Sequence, residues 1–293
     1  MKMSLRSFIG VATALACLCA ARPGECGPRV ETAHLLVDDV RQQLSAADLQ
    51  QFAERAESAF VKALGFWAVT ELKGGKIILE LHREHAGRAF SVFQQEATKG
   101  ERRSYVRVYG VSSPQEMVHK MTHALFPTED KLIRNMMGIP TEARFGNPRS
   151  FPMCGYDPDA WVAAIRRDGS YIPLGGLGEA HEDWGMSFQG KLPVVADRKR
   201  QHASYAEAGS FGNFLVNRYG VGTVKAFYRA ARQEKRPWQE AFGRDMPALE
   251  AEWLASLDAG AKSRAGQVDF LASLWKQDPA NACTKADEAA ARK

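Results

Sequence analysis

Beyond its first twenty residues the sequence lacks any long apolar run. A bilayer-crossing helix needs about 20 consecutive apolar residues, and the longest stretch, Phe8 to Leu18, has about 11, so no transmembrane span is expected. Charge of one sign is scarce too: 39 Lys and Arg stand against 34 Asp and Glu, a formal net charge of +5. Two of those positive charges, Lys2 and Arg6, lie at the extreme N-terminus. Pairs such as Glu54-Arg55 and Arg83-Glu84 mix the signs, which argues for solvated faces and against a phosphate-binding stripe, so nucleic acid is not an expected partner. Internal repeats and low-complexity tracts are lacking, which excludes a solenoid. Cysteine is sparse, with five in 293 residues.

What is present is an ordinary globular composition, 45% hydrophobic and 25% charged, enough to bury one large core or two closely packed lobes. Lys2 and Arg6, the apolar stretch to Leu18 and the small-residue cut site Cys19-Ala20-Ala21 read as a secretory signal over residues 1–21. Export to a periplasmic or extracellular compartment follows. A lipoprotein variant acylated on Cys17 lacks the leucine three places upstream. Cleavage leaves Cys26, Cys154 and Cys283. One disulfide with an odd thiol, or three buried thiols, both satisfy that count, and spacing does not choose the pair.

Residues 30–258 read as the folded body and 259–293 as a helical or flexible tail, frayed from Asp278 onward. In the first lobe, 30–125, an extended piece runs from Thr32 to Val37. A helix from Ser45 to Leu64 follows, with Leu49, Phe52, Ala56, Phe60 and Ala63 at helical spacing, Ser45 and Asp48 as an N-cap box and Gly65 at its end. Lys76 to Leu81 and Tyr105 to Tyr109 read as strands. Phe126 to Asp159 is rich in Pro and Gly and reads as folded loop with short helical pieces around Lys131 to Met137. The second lobe, 126–258, is mainly helical: Asp159 to Arg167, Tyr205 to Tyr219 ending at Gly220, Val221 to Gln233, and Met246 to Leu257 entered through Asp245 and Pro247.

Chemistry concentrates at His119-Lys120-Met121-Thr122-His123. Ser113 as N-cap, Pro114 at N1 and Glu116 at N3 open a helix just before it. At spacing i, i+4 two imidazoles share a helix face and can grip one Zn²⁺, the geometry behind the motif H-E-x-x-H. Here Lys120 stands where that motif has its glutamate. The glutamate takes the proton from metal-bound water, worth typically about 10² to 10⁴ in rate, and a charged lysine cannot accept one. An ammonium beside a dication is repulsive, so metal affinity is expected to be weakened and Lys120 is expected to go neutral or turn away. Glu116 reads as the capping partner of Ser113 rather than a ligand.

The chain resembles the peptidase MA-like family, a gluzincin group of thermolysin-like zincin fold. The resemblance rests on the order of several phrases: His119 to His123; Gly138-Ile139-Pro140-Thr141-Glu142; Tyr171-Ile172-Pro173-Leu174; Tyr205 to Phe211 running into Phe214-Leu215 and Arg218-Tyr219-Gly220; and Phe242-Gly243 followed by Leu249 to Leu254. Together they span roughly Thr32 to Leu257. The resemblance implies an α+β zincin-like fold, a small mixed sheet plus a metal-site helix followed by a mainly helical lobe. It implies a third zinc ligand at Glu142, nineteen residues beyond His123, and a later tyrosine or histidine, Tyr205 or His202, over the oxyanion. Departures are Lys120 and the Ile139-Pro140-Thr141-Glu142-Ala143 context, in which Pro140 would suit a first helical turn. His181 reads as a surface residue. His34, His82 and His85 show no ligand spacing, and Trp161, Trp184, Trp238 and Trp253 read as core.

The expectation is an exported, catalytically impaired peptidase homologue. Its His119/His123/Glu142 scaffold would hold Zn²⁺ weakly or not at all, and its cleft would take an extended peptide or protein segment. The alternatives are an active zinc metallopeptidase and a structural, envelope-associated protein without metal.

Overall fold

The computed structural model describes residues 28–84, 90–98, 101–110, 117–189, 192–233 and 235–292. The signal segment with Cys17 and Cys19, and also Cys26, His85, Ser113, Pro114 and Glu116, lie outside them. The architecture is α+β. Strands β1 (Arg29–Glu31) and β2 (Leu35–Asp38) form a tight antiparallel hairpin, closed by the Thr32 amide on the Leu35 carbonyl at 2.9 Å. The extended piece expected over Thr32 to Val37 is thus the hairpin turn followed by β2, with β1 lying before it. Helix α1 (Ala46–Phe66) begins at Ser45, whose hydroxyl accepts from the Asp48 amide, as its cap pattern predicts.

Strands β3 (Ile77–His82), β4 (Phe90–Thr98) and β5 (Glu101–Tyr109) complete a five-stranded sheet of order β1-β2-β3-β5-β4. Pairing is parallel for β2-β3 and β3-β5, and antiparallel at the two edges. Alternate residues Leu35, Val37, Ile77, Leu79, Leu81, Val106 and Val108 face α1 and helix α2 (Val118–Leu125), forming one core. The other face carries charge, as in the Arg107 guanidinium between Glu80 and Glu96.

The second core is helical. It gathers α3 (Lys131–Phe145), α4 (Pro158–Arg167), the long α5 (Arg198–Ala230), the short α6 (Trp238–Phe242), α7 (Met246–Ala259), α8 (Ala265–Gln277) and α9 (Ala282–Ala290) around Trp161, Trp184, Trp253, Trp275, Phe211 and Phe227. A small hairpin, β6 (Met186–Gln189) with β7 (Leu192–Val195), precedes α5. The expected break at Gly220 is present as a kink, φ 82°, inside α5. The tryptophans expected in the core are there.

Two sequence expectations fail. Within the stretch read as loop, Phe126 to Asp159, the short helical pieces expected around Lys131 to Met137 are instead the 15-residue α3, and Pro140 is its tenth residue, not a first-turn residue. Without an amide hydrogen Pro140 leaves the Met136 carbonyl free of its helical partner, and that carbonyl faces α5 where a Cβ on Gly212 would lie 1.9 Å from its oxygen. Glycine is what admits so close an approach. One turn earlier, Gly209 makes room for Ile139 in the same way. The tail does not fray either: Ala282 and Ala286 are buried, α8 contributes Val268, Leu271 and Trp275 to the core, and Cys154 is bonded to Cys283. Side chains so small carry little pattern for a sequence reader.

Replacing Gly212 with alanine is expected to cost about 3 kcal/mol, the upper range for overpacking against backbone that cannot retreat. Gly222→Ala, where nothing lies within 4 Å of the added methyl, is expected to leave stability unchanged or raise it by up to about 1 kcal/mol. Urea unfolding of the two variants checks this, and equal effects would refute the close α3–α5 approach.

Candidate functional site

Helix α2 presents His119 and His123 on one face, as their spacing requires, with ring centroids 4.4 Å apart and ring planes perpendicular. Their Nε2 atoms face a common space against α3. A Cβ built on Gly138 would lie 2.7 Å from the His119 Nε2 and 2.9 Å from the His123 Nε2. Beside them the Asn135 side chain is pinned by its amide on the Lys131 carbonyl, and its Oδ1 lies 3.1 Å from the His119 Nε2. The His123 Nε2 is buried and has no hydrogen-bond partner among the described residues.

Glu142 does not join the two imidazoles. Its Oε2 accepts from the His119 backbone amide at 2.7 Å, while Oε1 accepts from the Asn147 amide at 3.0 Å and the Ser150 hydroxyl at 3.3 Å. The physical reason is local. The first turn of α2 exposes unpaired amides at the positive end of its dipole, a setting that favours a carboxylate by about 0.3–1 kcal/mol or more when buried. The carboxylate is only 1% exposed and leaves no room for a side chain at Gly146. Among the described residues, the three-residue cluster with mutually close ligand atoms is Cys154, His202 and Cys283, not His119, His123 and Glu142.

The site's charge is cationic. Burial, reinforced by Lys120, holds His119 well below the ordinary imidazole pKa; His123 is lowered likewise by burial, then by His119, Lys120 and Arg134. Both rings are therefore neutral at pH 7. Lys120 is half-buried, and desolvation with the nearby Arg134 charge brings its amine down to about 7 against the opposing pull of Glu142. Arg134 on α3 makes no side-chain hydrogen bond or ion pair among the described residues, and its Nε is buried without a partner.

Tyr205 feels the same Arg134 charge and packs between Phe151 and Trp184, with ring centroids at 5.3 and 5.4 Å; burial raises its hydroxyl pKa. His181, expected at the surface, is half-buried with its ring 4.1 Å from Phe188, and its pKa is lowered by burial and by Lys131 and Arg134. His202 packs elsewhere, between Trp161 and Trp275. Edge strand β4 lies over α2, with Phe93 6.1 Å from the His123 ring. Arg134 and Asn135 are the site residues that sequence reasoning missed. The available signal was two polar residues inside the apolar run Leu132 to Met137. No protein-family model, curated protein or solved structure matches the chain.

Lys120 makes stability pH-dependent in a defined direction. Its folded value of about 7 lies below the ordinary 10.5, so between those values the unfolded chain holds a proton that the folded chain has released. Stability therefore rises with pH across that window and sits on its lower plateau below about pH 7. Lys120→Met, which removes the titrating group, is expected to flatten that rise and to stabilise the protein most at neutral and acidic pH. Denaturant titrations at pH 6, 8 and 10 measure it, and parallel curves for the two proteins would refute the desolvated amine.

Proposed function

We propose that this is an exported protein of zincin-like fold, related to the peptidase MA-like family, that binds an acidic peptide segment without hydrolysing it. The observation carrying this reading is the placement of charge. Two neutral imidazoles stand beside Lys120 and Arg134, which has no ion pair among the described residues, while Glu142, the carboxylate that pulls on Lys120, accepts from the α2 amide. Arg134 is half-buried with its Nε shielded from solvent, and a ligand carboxylate would give that nitrogen a partner.

The order of elements supports the scaffold: parallel strands, an antiparallel edge strand over a histidine helix, then a helical lobe. Edge strand β4 offers backbone groups for an added peptide strand. The Cys154–Cys283 bond accords with an oxidising compartment, and no helix among the described residues is long and apolar enough to cross a membrane. The residues present do not fit a His₂Glu zinc centre. Two nitrogens facing one space supply half a ligand set; Glu142 is engaged elsewhere and the neighbouring charges repel a dication.

A labelled acidic hexapeptide is expected to bind in fluorescence anisotropy while its basic counterpart does not. Arg134→Ala and Lys120→Met should each weaken binding by about tenfold or more, the usual worth of a charge-assisted hydrogen bond. Casein and peptide substrates should remain intact with or without chelator. Equal binding of acidic and basic peptides would overturn the reading. A second reading, an active metallopeptidase, is favoured by one observation: an amine with a pKa of about 7 is a proton acceptor in a large share of molecules at neutral pH. Chelator-sensitive cleavage lost in Lys120→Met would establish it instead.

A further inference from the structure

Away from the histidine pair, a second imidazole is buried with two sulfur atoms. One ring nitrogen of His202 and the Sγ atoms of Cys154 and Cys283 all lie within 4.8 Å of one another. His202 is 2% exposed, enclosed by Trp161 at 4.2 Å, Trp275 at 5.3 Å and Phe151 at 5.4 Å between ring centroids. Its Nε2 lies 2.9 Å from the Pro152 carbonyl. A carbonyl only accepts, so Nε2 carries the proton and Nδ1 keeps its lone pair. That Nδ1 is buried and has no partner among the described residues. Burial holds the ring neutral, with its pKa down to about 4.

An imidazole anchored through one nitrogen to a carbonyl, with its other nitrogen unpartnered and two sulfurs close to the ring, is the arrangement by which proteins orient a metal ligand. A buried nitrogen left unsatisfied otherwise costs about 1–3 kcal/mol for nothing. The cysteines are held close by more than their covalent bond. Gly155, next to Cys154, abuts Ala290 of α9 so closely that a Cβ would lie 2.3 Å from the Ala290 methyl, and Arg149 Nη2 donates to Asp287 of the same helix at 2.9 Å. Cys154 itself adopts a positive φ of 51°, a conformation that non-glycine residues keep only where surrounding structure imposes it.

We propose that Cys154, Cys283 and His202 form a redox-gated Zn²⁺ site, closed while the two sulfurs are bonded and opened when that bond is reduced. A phosphine or thiol reductant breaks the S–S bond and leaves two thiols, the reductant being oxidised to phosphine oxide, with oxygen from water, or to its own disulfide. Zn²⁺ then displaces the two thiol protons and takes the His202 Nδ1 lone pair as third donor. Two thiolates, one imidazole and a water make a four-coordinate set that suits zinc. Disulfide sulfurs carry no such charge, so the oxidised chain has no equivalent site.

The test uses the full chain with Cys17→Ser, Cys19→Ser and Cys26→Ser, reduced by a phosphine under anaerobic conditions and titrated with Co²⁺, which reports thiolate ligation through a near-ultraviolet charge-transfer band. The reduced protein is expected to take up about one equivalent with that band, Zn²⁺ to displace it, and the oxidised protein to show none. His202→Ala and His202→Gln should each weaken binding at least about tenfold, with far-ultraviolet circular dichroism unchanged in at least one of them. His119→Ala should leave the band intact, which separates this site from the histidine pair on α2. Absence of the band in the reduced protein, or an undiminished band in a folded His202 variant, overturns the proposal.

Discussion

Everything around the histidine pair follows from how closely α3 lies against its two neighbours. Three glycines admit the contact: Gly138 facing the imidazoles of α2, and Gly209 and Gly212 facing Ile139 and the Met136 carbonyl. Pro140 contributes by freeing that carbonyl, which in an uninterrupted helix would accept from the amide of residue 140. With α3 so placed, Asn135 reaches His119, Glu142 reaches the α2 amide, and Thr141 accepts from the Trp67 indole at 2.8 Å across the two cores. One helix thus joins the sheet lobe to the helical lobe and brings polar side chains to the histidine pair.

The electrostatics around the histidine pair follow from that burial. Removing imidazoles from water costs their charged forms more than it costs the neutral ones, so His119 and His123 stay uncharged although Asn135 can bond one of them. Lys120 meets the same desolvation with a counter-charge, Glu142, that is shared with backbone donors. A desolvated amine, a guanidinium with no ion pair among the described residues and two neutral rings thus stand together. His202 shows the same neutrality by burial, but there the ring keeps one unpartnered nitrogen and lies beside two sulfurs.

Much of the fold was legible where its causes are local. Ser45, Asp245 and the apolar spacing of Leu49 to Ala63 each act within a few residues, and α1 and α7 begin where those caps place them. β3 and β5 likewise announce themselves by dense apolar or alternating residues. Strand β4 did not, because an edge strand such as Phe93-Gln94-Gln95-Glu96 keeps its polar residues in water. The length of α3 was hidden by Pro140, whose cost as a helix breaker is met by a neighbouring helix that no local pattern reveals. In the last helix, α9, the buried residues are Ala282 and Ala286, too small a pattern to read.

In the site, the sequence by itself determined that two imidazoles share one helix face with a lysine next to the first of them, since helical periodicity is a property of the backbone alone. Tertiary structure alone decided where the Glu142 carboxylate goes, that Arg134 and Asn135 border the rings, and that Cys283 rather than another cysteine meets Cys154. A side chain's partner depends on direction and competition among donors brought together from distant parts of the chain, and neither is encoded in spacing along it.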